Sequence, residues 1–136
     1  ESCTGGLIGD RITNISGSSE IFTGGVLAYS NDSKVKLLGL DNYGINEFGA
    51  VSKYTAKKMA ENVKNMFNSS FGLSVTGIAG PNGGTKEKPV GLVYIGLASD
   101  KNTIVKKYNF GKERELNKIK TSQAALQTLR KGLLDE

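Results

Sequence analysis

The sequence of 136 residues contains no histidine, no tryptophan and a single cysteine. Without histidine there can be no Ser-His-Asp triad and no His-ligated metal. If the chain does chemistry, another group must move the protons, and no metal and no cofactor are expected. One cysteine, Cys3, cannot build an internal disulfide framework and fits a reducing compartment. No apolar run approaches the ~18 residues of a membrane span, and no signal peptide is visible. A cytoplasmic location with no membrane partner is expected. Tryptophan is absent, and so are an RNP-like aromatic pattern and an arginine stripe, so no nucleic-acid partner is expected either. The net charge of +5 is modest. It fits a solvated surface with a mild pull on anionic small molecules.

Glycine, in contrast, is abundant: 18 residues, against a typical share of ~7%. Much of the excess lies in two loops, Glu1-Ser2-Cys3-Thr4-Gly5-Gly6 and Thr76-Gly77-Ile78-Ala79-Gly80-Pro81-Asn82-Gly83-Gly84. Each abuts an apolar, regular segment. Glycines allow a backbone to come close to a ligand, and free N–H groups at a helix start favour anions. A loop of the first kind normally follows a strand, so at least one N-terminal element is expected to precede Glu1.

Periodicity gives a coarse map. Leu7 to Ile15 has helical spacing, with Thr4 or Ser2 as its cap. Phe22 to Ser30 reads as a strand. Asn31-Asp32-Ser33 opens a short helix ending near Gly39, and Asp41 to Gly49 reads as a loop or 3₁₀ stretch. Ser52 starts the strongest helix, with Ala56, Met59, Ala60, Val63, Met66 and Phe67 inward. Leu73 to Ala79 is a strand, Val90 to Ser99 a central strand buried on both faces, and Thr103 to Phe110 a strand nearer an edge. Glu113 to about Leu134 is a long helix with Leu116, Ile119, Leu126, Leu129 and Leu133 inward. The expected architecture is a single α/β domain over residues 1–136, a three-layer α/β/α sandwich with a mixed β-sheet.

Seven segments in this order, ESCTGG, GSS, AYSNDSK, GAVS, TGIAGPNGG, KPVGLVYIGLA and FGKER, closely resemble the CinA C-terminal domain family. Its stand-alone bacterial members are nicotinamide-nucleotide amidases. The resemblance covers essentially the whole chain. It implies a mixed-sheet α/β/α sandwich in which a helix and a strand precede ESCTGG. It also implies hydrolysis of the carboxamide of nicotinamide mononucleotide to nicotinic acid mononucleotide and ammonia, without metal or cofactor. The residues matching the family's binding and catalytic positions are Ser2, Ser19, Tyr29, Lys34, Thr76 and Arg114. Self-association, as a homodimer, is a further implication. The alternative is a non-catalytic nucleotide-binding or interaction domain of a larger competence/damage-inducible CinA-type protein.

Amide hydrolysis needs a nucleophile, a base, an acid for the departing ammonia and donors for the oxyanion. With no histidine, a lysine held neutral is the natural base, and Lys34 sits at a helix start, which disfavours an ammonium. Ser2, in a loop rich in N–H groups, suits a nucleophile or a phosphate ligand. Ser19 suits the partner hydroxyl of a Ser-Ser-Lys relay. Either serine could instead simply cap a helix, and the choice of nucleophile leans to Ser2. Thr4, Gly5, Gly6, Thr76, Gly77 and Gly80 are expected to bind substrate. Arg114, a cation at an unfavourable helix start, is expected to grip phosphate or ribose. Glu1 is placed to orient Lys34 or a ribose hydroxyl. Cys3, without an imidazole partner, reads as packed and structural.

Overall fold

The computed structural model describes residues 1–135. Five helices and three strands follow in the order α1 (Leu7–Thr13), α2 (Asn31–Leu38), α3 (Asn42–Phe48), α4 (Lys53–Phe67), β1 (Gly72–Gly77), β2 (Leu92–Ala98), β3 (Thr103–Asn109) and α5 (Arg114–Leu134), with a 3₁₀ turn at Ser18–Glu20. The sheet has the order β1-β2-β3, and both pairings are antiparallel.

Alternation along β1 and β2 builds the three layers. Val75, Val93 and Ile95 point to one face, where they pack with Cys3, Ile8 of α1 and Ala125 of α5. Ser74 and Gly96 point to the other, against α4. The Ser74 hydroxyl donates to the Ala56 carbonyl, and a Cβ on Gly96 would lie 2.6 Å from that same oxygen. Small residues here let the helix backbone rest almost on the sheet. A second core of Ala28, Leu38, Leu40, Ile45 and Met59 fills the space beneath α2, α3 and α4.

Four expectations need correction. Residues 22–30 are extended but form no strand. Their side chains do alternate between half-buried and exposed. However, the only backbone partners of 22–28 among the described residues are Ser18 and Glu1. The Glu1 amine donates to the Val26 carbonyl and the Ala28 N–H donates to the Glu1 carbonyl, at 2.7 and 2.9 Å. That alternation is the pattern of a parallel pair, confined to one residue, so the sheet itself is antiparallel rather than mixed. An apolar groove of about 130 Å³ separates this segment from β1.

Asp41 to Gly49 contains a true helix, α3, which Asp41 caps by accepting from the Tyr43 N–H. The third correction concerns α5. Leu116, Ile119 and Leu133 are exposed, whereas Asn117, Thr121, Ser122, Ala125 and Thr128 are buried. Small residues bring α5 close to its neighbours. Their hydroxyls are satisfied by carbonyls one turn back, as in Thr121 to Asn117 and Thr128 to Ala124. Met66 of α4, expected inward, is also exposed.

Candidate active site

Two turns bring the chemistry together. The first follows Glu1. Its four residues Ser2–Gly5 close with a Gly5 N–H to Ser2 carbonyl bond of 3.0 Å, and Gly5 and Gly6 take positive φ as the chain enters α1. The second is the start of α2, where the Ser30 hydroxyl accepts from the Ser33 N–H at 3.0 Å. That cap sets Lys34 in the first turn of α2, aimed inward.

Lys34 is almost completely buried, at 1% exposure. Its Nζ lies 2.9 Å from the Ala28 carbonyl, 3.0 Å from the Tyr29 carbonyl and 3.0 Å from Ser2 Oγ. It makes no salt bridge among the described residues. Burial pushes its pKa below the usual lysine value; a Cys3 thiolate would act in the opposite direction. A neutral amine has two N–H groups and one lone pair. The two carbonyls take the two N–H groups, and the lone pair is left for the Ser2 hydroxyl proton. This arrangement can deprotonate Ser2 without an imidazole.

Ser2 is itself buried. The N–H of Thr4, two residues further on, makes no hydrogen bond among the described residues. The Cys3 thiol packs in the core, with its pKa raised to about 11, chiefly by burial. It is neutral at physiological pH and structural, as expected from the sequence.

A cleft of about 270 Å³ opens over this pair, and Ser2, Tyr29, Lys34, Thr76, Gly77, Gly80 and Arg114 line it. Seven of the residues singled out in the sequence therefore converge. Thr76, on β1, donates its hydroxyl to the Ala50 carbonyl at 2.7 Å. Gly77 must be glycine, because a Cβ there would lie 2.6 Å from Val93 and 3.2 Å from the Cys3 sulfur. Arg114 opens α5, and its guanidinium donates to the Gly80 carbonyl at 2.6 Å and to the Tyr29 hydroxyl at 3.0 Å. Two of its five N–H groups are so engaged.

The other expected residues lie elsewhere. Thr4, Gly5 and Gly6 line a separate depression of about 730 Å³, with Lys118, which shares Arg114 with the cleft. Ser19 is exposed in the 3₁₀ turn, outside the cleft, and its hydroxyl makes no hydrogen bond among the described residues. The Ser-Ser-Lys relay is not assembled in this conformation. Glu1 does not contact Lys34 or enter the cleft; its carboxylate turns toward α1.

Sequence reasoning missed Asn31, Val51 and Asn82 as cleft-lining residues, together with the Ala50 carbonyl that anchors Thr76. Nothing in their own residue types marked them. Only their places in the AYSNDSK, GAVS and TGIAGPNGG segments offered a signal. Among the described residues no cluster of three His, Cys, Asp or Glu side chains could hold a metal ion. No helix among them is long and apolar enough to cross a membrane.

Comparison with known proteins agrees with this architecture. A putative competence-damage inducible protein of Thermoanaerobacter sp. (strain X514) is 50% identical over 134 residues, 98% of this chain and 32% of that protein. A CinA-like protein of Nostoc punctiforme is 50% identical over 137 residues, covering 98% and 33%. The chain thus spans about a third of the length of these relatives. The crystal structure of the competence/damage inducible protein CihA from Agrobacterium tumefaciens superposes with a TM-score of 0.92 at 39% identity, over 94% of this chain and 79% of that one. The family model for the CinA C-terminal domain matches residues 1–133, and the chain belongs to the CinA family.

Proposed function

We propose that this domain is an amidase that hydrolyses the carboxamide of nicotinamide mononucleotide, using Ser2 as nucleophile and Lys34 as base. The observation that carries this reading is the buried, unpaired Lys34 amine within 3.0 Å of Ser2 Oγ. The amine is buried against two carbonyls and a serine hydroxyl, with no carboxylate partner among the described residues. The lowered pKa keeps a larger share of the amine neutral, which is the form that accepts a proton.

On this reading Lys34 removes the Ser2 proton as Oγ attacks the carboxamide carbon. The carbonyl oxygen becomes an oxyanion, and the unengaged Thr4 N–H is a donor to it. The Lys34 ammonium then returns the proton to the nitrogen of the leaving group, and ammonia departs. An acyl ester remains on Ser2. Lys34 next takes a proton from water, and the hydroxide so formed attacks the ester. The proton returns from Lys34 to Ser2 Oγ, and the acid product leaves and gives up its own proton to solvent. Each step passes through one lysine, as an imidazole-free site requires.

Arg114 stands at the cleft mouth with N–H groups to spare, which suits the phosphate of a mononucleotide. The loop from Gly77 to Gly83 lies close enough for backbone contacts with the ligand. Incubation of the protein with nicotinamide mononucleotide, with ammonia and nicotinic acid mononucleotide as the measured products, tests the reading. Turnover by wild type and its loss in both Ser2→Ala and Lys34→Ala are expected. Equal turnover in Ser2→Ala would remove Ser2 as nucleophile.

A further inference from the structure

Glu1 is absent from the proposed chemistry, yet it bonds to the supports of both Ser2 and Lys34. One carboxylate oxygen accepts from the Thr4 hydroxyl and from the N–H groups of Gly6 and Ile8, at 3.1 and 3.0 Å for the two amides. The other accepts from the Gly9 N–H at 2.8 Å. The cap position of α1 is Gly6, which has no side chain to serve, so Glu1 supplies the cap from five residues upstream. Bonds from N–H groups to a carboxylate are among the strongest in a protein.

The backbone of the same residue bonds to Val26 and Ala28. Ala28 and its neighbour Tyr29 present the two carbonyls that hold the Lys34 amine. Glu1 is therefore joined by its side chain to the turn carrying Ser2 and by its main chain to the strip that aims Lys34. Ser2 and Lys34 lie 32 residues apart in sequence, and Glu1 connects their supports directly.

We infer that Glu1 is a positioning residue: its carboxylate fixes the Ser2 turn so that Ser2 Oγ meets the Lys34 amine. This inference rests on the amidase reading for its consequence but not for its geometry. Removing the carboxylate should leave substrate binding largely alone, since Glu1 lies outside the cleft. It should instead lower the fraction of molecules in which Ser2 and Lys34 are in register.

The test compares wild type with Glu1→Gln and Glu1→Ala. Glutamine keeps the size and one acceptor oxygen, but its amide group cannot accept the bonds made by the second oxygen. Turnover of nicotinamide mononucleotide is expected to fall at least tenfold in Glu1→Gln, with KM within about twofold, and further in Glu1→Ala. Two readouts do not require turnover of the mononucleotide. The rate at which a small organophosphonate labels Ser2 should fall in parallel with turnover. Amide hydrogen exchange at Cys3, Thr4 and Gly5 should accelerate in both variants while exchange in α4 and β2 stays unchanged.

Unchanged labelling and unchanged loop exchange in Glu1→Gln would overturn the inference. Acceleration of exchange throughout the molecule would also overturn it, because Glu1 would then be a general stability element. A wild-type protein that labels at Ser2 without hydrolysing the mononucleotide would defeat the substrate assignment and leave the labelling comparison decisive for Glu1. If Ser2 does not label even in wild type, the amidase reading falls, and the exchange pattern alone decides whether Glu1 fixes the turn.

Discussion

The two glycine-rich loops meet at one cleft but are held in different ways. The loop from Ser2 to Gly6 is fixed locally, by the carboxylate of the residue just before it. The loop from Gly77 to Gly84 has no acidic neighbour of that kind. It is held from a distance by α5: Asn117 donates to the Ala79 carbonyl at 2.9 Å and Arg114 to the Gly80 carbonyl. The first loop carries the reacting hydroxyl, where small displacements are costly. The second faces the body of a ligand, where a helix-mounted clamp is sufficient. Damage to the first loop or its base should therefore appear in turnover, and damage to α5 in binding and in stability.

The largest separation of the two is expected from Lys34→Ala. Loss of a general base typically costs ~10²–10⁴-fold, and the helix that carries Lys34 should persist by circular dichroism. Turnover within about threefold of wild type, roughly 0.6 kcal/mol, would show that Lys34 is not the base.

Asn117→Ala probes the other loop. Asn117 also bonds the N–H and the carbonyl of Gly111, so its removal leaves the buried Ala79 carbonyl and two half-buried groups of Gly111 without a partner. The expected loss of stability is about 2–4 kcal/mol at ~1–3 kcal/mol per unsatisfied group, read in urea titration. KM for the mononucleotide should rise by more than kcat falls. An equal fall in kcat alone would mean that α5 reaches the nucleophile after all.

Arg114→Ala sharpens the comparison further. It should lose roughly 1.5–3 kcal/mol of preference for the mononucleotide over its dephosphorylated riboside, as for a charge-assisted contact. A lower thermal midpoint with that preference intact would make Arg114 a brace for Gly80 and Tyr29 only.

The smallest effect is in the pH dependence of folding. The Lys34 pKa is lower folded than unfolded, so between the two values the unfolded chain binds more protons. Stability rises with pH in that window, by at most about 1.4 kcal/mol per pH unit for one proton. The Cys3 thiol, pushed up to about 11, acts with the opposite sign, but only above the ordinary thiol value of ~8.5. Lys34→Met should therefore flatten the rise of stability with pH below the unfolded lysine value. Parallel profiles for the two proteins would mean that Lys34 carries the same charge folded and unfolded.

α4 was legible because its burial is apolar on one side and its lysines lie on the other, so the 3.6-residue period is written in residue type. The period of α5 is not. Its leucines at 116 and 133 face solvent, and the buried face is made of Asn117, Thr121, Ser122, Ala125 and Thr128. Close approach favours small side chains there, and hydrophobicity does not record it. Residues 22–30 carry the alternation of a strand, but a ladder needs a neighbour on which to form, and sequence alone cannot supply one. At the cleft, Ser2, Lys34 and Arg114 could be found because each is chemically out of place: a serine among glycines, a base with no histidine nearby, a cation at a helix start. The linkages among them were not legible, since a carbonyl such as that of Ala28 or Ala50 is present at every residue. Only folding decides which one meets the amine.

Cys3 adjoins the nucleophile and has a sulfur that is buried and protonated at neutral pH. A thiol in that state reacts with alkylating reagents only when its surroundings open. Since no other cysteine exists in the chain, the alkylation rate of the native protein is a clock for the opening of one turn. The clock can be read without substrate, and ligands can be ranked by how far they slow it.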